Sequence, residues 1–181
     1  ALAQVEGARG HLGRAIALER RAVAETPLPQ FVGYLGDLYT AAGRPALARR
    51  QYALVDVIGR LFVANGVRTD LETALFRADH GVRLRETLGL ARLARSERPS
   101  IDGDDVLAWT LERNGRCGEA LRYSRLALRL GTKDALKLFH RGTIERCLGR
   151  TARGNAFLRR ALALNPHFSL RWAPVARRAL R

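Results

Sequence analysis

Apolar residues recur three and four positions apart along almost the whole chain, the spacing that lines one face of a helix. After Ala120, for instance, Leu121, the small polar Ser124 and Leu128 fall on one side of a helical cylinder. No run follows the two-residue period of a strand. Glycine and proline punctuate the pattern. Gly43, Gly115 and Gly149 stand where one helix must stop, since glycine accepts the left-handed conformation of a helix end. Pro27, Pro99 and Pro166 close the next helix, because the residue before a proline avoids helical geometry. The spacing predicts first helices over 30–42, 68–80, 102–114 and 135–148, and second helices over 12–25, 46–65, 84–96, 118–130 and 152–164. A last helix is predicted at 170–180, with Ser169 as its N-cap.

The pattern itself repeats. Leu107-Ala108, Leu111, Gly115-Arg116, Ala120-Leu121 and Ala127-Leu128 are echoed by Gly142, Gly149-Arg150, Leu158 and Ala161-Leu162. Gly115 and Gly149 are 34 residues apart, as are Ala127 and Ala161. Leu35-Gly36, Tyr39, Gly43-Arg44, Ala48 and Val55 fit the same frame, and Leu71, Ala74-Leu75, Ala78, Gly81 and Ala91 fit it more loosely. Small residues (Ala48, Ala120, Ala127, Ala161) recur where two helices must approach closely.

With Gly115-x-x-x-Glu119-Ala120-Leu121 and Ala161-Leu162-x-Leu164-Asn165-Pro166 set in a 34-residue unit, the chain resembles the tetratricopeptide repeat family over nearly its whole length. The resemblance implies an all-α fold, a right-handed α-solenoid of about five helix-turn-helix units in one repeat domain. The units would be a partial one over 1–28, then 29–67, 68–100, 101–134 and 135–167, with a closing helix in 168–181. Three positions depart from the family pattern. Thr132 replaces a closing proline, Gly154 replaces the usual alanine of the second helix, and Glu145 stands where an aromatic is usual.

The resemblance further implies that first helices line a concave groove that takes an extended or helical peptide. Positions three and four apart on those helices, away from the apolar stripe, place Asp37, Glu72, Phe76, Asp79, Asp105, Trp109, Glu112 and Phe139 there. An acidic groove with an aromatic stripe suits a protein or peptide partner carrying basic and apolar residues, because rings bury large area and stack on cations. The competing reading of the rings is core between repeats. Family members that hold the C-terminal carboxylate of heat-shock chaperones use a basic and asparagine clamp. Asp and Glu stand at the comparable places here, so that ligand class is not expected.

Catalytic chemistry is thin. The four serines (Ser96, Ser100, Ser124, Ser169) sit in no Gly-x-Ser-x-Gly elbow, and there is no phosphate-binding loop or dinucleotide fingerprint. Asp104-Asp105 reads as a helix-start pair of acids. No enzyme activity, cofactor or small-molecule substrate is expected. His80, close to Asp79 and Glu72, and His140 and His167 lack metal-ligand spacing, so no metal site is expected either. Cys117 and Cys147 sit 30 residues apart in adjacent units. Buried free thiols are the default reading, and a disulfide depends on geometry.

Charge changes the picture last. There are 32 basic residues, all but Lys133 and Lys137 arginine, against 17 acidic ones, for a formal net charge of +15. By segment the charge is +3 over 1–66, +2 over 67–134 and +10 over 135–181. A basic patch is expected from Arg159, Arg160, Arg171, Arg177 and Arg178. It suits an anionic polymer or membrane surface, an acidic partner, or a solvated capping face. Self-association of this basic end with the acidic groove of a second copy is a further expectation. Nucleic acid is not expected, since no zinc finger, recognition-helix pattern or aromatic–basic platform is present. At 47% hydrophobic and 27% charged the chain is not a disordered tail. Two cysteines do not make a disulfide-rich scaffold. No stretch reaches the roughly 18 uncharged apolar residues of a membrane span. The chain starts at Ala1 and contains no methionine, so it reads as a fragment or processed form, and cytoplasmic and exported locations both stay open.

Overall fold

The structure, a computed structural model, describes residues 2–181. Among them are eleven helices and no strand: α1 (Leu2–Ala8), α2 (Leu12–Glu25), α3 (Pro29–Ala41), α4 (Pro45–Ala64), α5 (Asp70–His80), α6 (Leu84–Glu97), α7 (Ile101–Arg113), α8 (Cys117–Ala127), α9 (Ala135–Cys147), α10 (Thr151–Leu164) and α11 (Trp172–Ala179). The chain is all-α. The helices expected from periodicity stand within two residues of these bounds, except that α8 ends at Ala127 rather than near 130. Among the described residues no helix is long and apolar enough to cross a membrane.

Two turns show how the period is built. The N–H of Gly115 donates to Glu112 O at 2.8 Å, and that of Arg116 to Leu111 O at 2.9 Å. Gly149 and Arg150 repeat the arrangement on Arg146 O and Glu145 O, both at 2.9 Å. These bonds satisfy the last carbonyls of α7 and α9, and they require the positive φ that Gly115 (74°) and Gly149 (75°) adopt.

The chain divides into two compact units, Ala1–Glu72 and Thr73–Arg181. In the first unit α2 packs on α1 and α3, and α3 packs on α4. Val32, Leu35, Leu38 and Tyr39 of α3 and Ala48, Val55 and Ile58 of α4 are buried. The Tyr52 ring lies on Gly36, where any Cβ would overlap it. Glu6 is buried at the end of α1 and is held by His11 Nδ1 at 2.8 Å.

In the second unit α7 is the interior helix: it packs on α6, α8 and α9, and every residue from Gly103 to Leu111 is buried. Its N-cap is Ser100, whose Oγ accepts from Gly103 N at 3.0 Å. Asp104 lies in the first turn of α7, as expected of a helix-start acid, and both it and Asp105 also face named partners. Asp104 pairs with Arg95 at 2.8 Å and Arg129 at 2.6 Å, and Asp105 with His140 at 3.0 Å. Asp134 caps α9 by accepting from Leu136 N and Lys137 N. The Lys137 ammonium bridges Asp102 and Asp134 at 2.7 and 2.8 Å. Burial alone would lower it, but those two hydrogen bonds outweigh burial and push it up to about 12.

Gly154 and Glu145 each face a named partner. A Cβ on Gly154 would stand 2.7 Å from Gly142 O, and one on Gly142 would meet Leu158 Cδ2 at 2.7 Å. The two glycines let α9 and α10 approach backbone to backbone. Glu145 is buried and chelated by Arg141, with Nε at 2.9 Å and Nη2 at 2.7 Å.

Cys117 at the start of α8 and Cys147 at the end of α9 are joined by a disulfide, with Cα atoms 6.1 Å apart. The free-thiol reading is corrected: α8 packs on α9 and brings the two positions within bonding distance. Closing a loop of this length restricts the unfolded chain by about 3–4 kcal/mol. Both tryptophans, Trp109 and Trp172, lie in the second unit, so indole fluorescence reports that unit alone. Urea denaturation followed by that signal is expected to show a loss of about 3–4 kcal/mol on adding reductant. An unchanged midpoint would remove the disulfide from the stabilising contacts.

Candidate functional site

The residues placed in the expected groove divide between the two units. Asp37 and Glu72 belong to the first. Asp37 accepts from the Tyr52 hydroxyl at 2.8 Å, which also bonds Thr40 Oγ1 at 2.9 Å. Glu72 is exposed and lines a small cleft with Pro29, Phe62 and Arg68. The other six lie in the second unit. Phe76 stacks on His80, with centroids 4.2 Å apart, and His80 Nδ1 donates to Phe76 O at 2.7 Å.

Asp79, Asp105, Trp109, Glu112 and Phe139 meet in one cluster, supplied by the last turn of α5, the body of α7 and the middle of α9. Trp109 and Phe139 are each only 1% exposed, so their rings are interior surface. Trp109 Nε1 donates to Asp79 Oδ1 at 2.8 Å. Trp172 Nε1, from 93 residues away, donates to the same oxygen at 2.8 Å. Trp172 stacks on Phe139 at 5.6 Å and meets Trp109 edge-on at 5.3 Å, and Phe168 lies 5.5 Å from Phe139. Ser169 Oγ accepts from the Arg171 and Trp172 amides at 3.2 and 3.1 Å, which fixes the turn that delivers Trp172. Arg146, whose guanidinium also bonds Asn155, donates to Ala179 O at 3.3 Å and ties down the end of α11.

His140 completes the cluster. It is fully buried, stacks on Trp109 at 4.3 Å with planes 12° apart, and bonds Asp105 Oδ2 through Nδ1. Its Nε2, Asp105 Oδ1 and Glu112 Oε2 are buried with no hydrogen-bond partner among the described residues. Burial pushes the Asp79 carboxyl up, tempered by His140 and the two indoles. Burial likewise raises Glu112, tempered by Arg113 and His140. For His140, burial alone would lower the imidazole, but Asp105, Asp79 and Glu112 outweigh it and hold it above its ordinary value. The cluster is thus three carboxyl groups around one imidazole, walled by indole and phenyl rings.

The sign of its pH dependence follows. A raised imidazole contributes stability that is complete below its ordinary value of 6.5 and fades as pH rises through the folded-state value. The raised Asp79 and Glu112 carboxyls act in the same direction, from their ordinary values of 3.8 and 4.5 upward. The second unit is expected to need less urea to unfold at about pH 8.5 than at about pH 6.5, by up to about 1.4 kcal/mol per pH unit in the steepest part. A midpoint that stays flat or rises over that range contradicts this assignment.

Periodicity placed Asp79, Asp105, Trp109, Glu112 and Phe139 on helix faces, but it missed His140, Phe168 and Trp172 as their companions. Phe168 and Trp172, four apart ahead of a basic helix, were the available signal. Of the basic residues, Arg159, Arg160, Arg177 and Arg178 are exposed and Arg171 is partly so. Arg177 Nη1 donates to Pro166 O at 2.7 Å. Among the described residues no group of three or more His, Cys, Asp and Glu could hold a metal ion. No protein-family model matches the chain, and no curated protein matches it.

Proposed function

We propose that the chain is a protein-interaction module of tetratricopeptide-repeat type, without catalytic residues or cofactor, whose α5–α7–α9 face recognises a peptide segment with basic and apolar residues. One observation carries this reading. The chain's own segment from Phe168 to Leu180 lies on that face, with two aromatic anchors, an indole donor to Asp79 and a helix bearing Arg177 and Arg178. Its chemistry matches the partner expected from the groove residues. Indole anchors that bond and bury at once commonly dominate interface energy.

A partner of this kind binds by displacing the resident segment. The test is fluorescence anisotropy with a labelled peptide of residues 166–181 added to the 181-residue chain. Trp172→Ala, checked by circular dichroism for helix content, is expected to bind the peptide at least about tenfold more tightly than wild type, about 1.4 kcal/mol. Adding Asp79→Asn, which keeps an acceptor oxygen but removes the charge, is expected to weaken that binding. A peptide that binds neither the wild type nor Trp172→Ala overturns the reading.

A further inference from the structure

Away from that cluster, α8, the link after it, α9 and α10 enclose an open cleft of about 660 Å³. Its lining combines Leu138 and Phe157 with Arg125, Lys133, Arg141 and Arg160, and contains no carboxylate. Arg141 is committed to Glu145. Arg125, Lys133 and Arg160 have no ion-pair partner among the described residues. Three uncompensated cations around one apolar cleft repel each other, and an anion seated among them relieves that repulsion. The apolar part is also uncovered: Leu164, on the lining, and Leu130, beside it, are 42% and 70% exposed.

The geometry points to a second binding site here, for an acidic peptide segment that places an apolar side chain against Leu138 and Phe157 and carboxylates against Arg125, Lys133 and Arg160. The volume is that of a site for a few side chains. Nucleic acid fits less well, because binding of unpaired bases relies on free aromatic faces. The one aromatic lining the cleft is Phe157, and the Arg141 and Arg160 guanidiniums crowd its ring, 5.2 and 5.4 Å from its centroid. A bilayer surface fits less well because the apolar residues line a recess rather than a protruding face. The site selects charge opposite to that recognised by the α5–α7–α9 cluster.

The probe is a fluorescein-labelled hexapeptide, Asp-Glu-Leu-Phe-Glu-Asp, titrated into the full chain by anisotropy. Saturable binding that tightens at low salt is expected. Lys133→Glu with Arg160→Glu, both at exposed positions, is expected to weaken it at least about tenfold with helix content unchanged. Replacing the leucine and phenylalanine of the probe by serine is expected to weaken it as well. Asp79→Asn and Trp172→Ala leave it unchanged, which separates this site from the one proposed above. Binding weaker than about 1 mM, or charge reversal without effect, overturns the proposal. So does an oligonucleotide or anionic vesicle that needs Lys133 and Arg160 while the peptide does not bind.

Discussion

Replacing Glu145 by glutamine is expected to destabilise the second unit by about 3–5 kcal/mol, read as a lower urea midpoint by indole fluorescence. The size comes from what is left behind. Glu145 is fully buried, and Arg141, itself buried, spends two guanidinium nitrogens on it. Arg150 and Arg153 approach it at 3.4 and 3.5 Å from the surface. Burial by itself would raise the Glu145 carboxyl, but the Arg141 bond and the Arg141 and Arg153 charges outweigh burial and hold it below its ordinary value. Without that charge Arg141 remains an uncompensated cation in the interior. Replacing Arg141 and Glu145 together by apolar residues of similar volume is expected to cost much less than Glu145→Gln alone. A loss below about 1 kcal/mol for Glu145→Gln would mean that water reaches Arg141 without it.

The second large effect concerns Trp109. Trp109→Ala is expected to cost about 3–5 kcal/mol. The ring is 1% exposed and touches His140, Phe139 and Trp172, so its removal leaves a cavity and frees the Asp79 oxygen it bonded. Trp172 keeps the fluorescence signal that measures the loss. Trp109→Ala therefore reports stability before it reports partner binding, and Asp79→Asn is the cleaner probe of recognition. A variant as stable as wild type would place the ring at the surface instead.

The difference between Trp109 as groove lining and Trp109 as interior shows what the sequence could carry. Helix bounds were legible because periodicity, glycine at helix ends and proline after them are local signals. The 34-residue frame was legible through Gly115, Gly149, Ala127 and Ala161. What covers a helix face is not local. Trp172 reaches Asp79 across 93 residues, and no spacing rule carries that distance. The same holds for His140 on Asp105 and for Cys117 on Cys147, pairs set 35 and 30 residues apart by the packing of successive helices. Gly154 and Glu145 were visible as exceptions, but their reasons, a glycine carbonyl and a buried guanidinium, appear only in three dimensions.

The buried carboxylates have a consequence for the molecule as a colloid. Six of the 17 acidic residues are buried (Glu6, Glu19, Asp70, Asp104, Asp105 and Glu145), against two of the 32 basic ones, Lys137 and Arg141. The exterior is therefore more positive than the formal charge conveys, the more so because the Asp79 and Glu112 carboxyls also sit in the interior cluster. Identical particles of this sign repel in dilute buffer, and added salt lets them approach. Salt screens non-specific attraction of this kind, so selective contacts are best sought at physiological ionic strength.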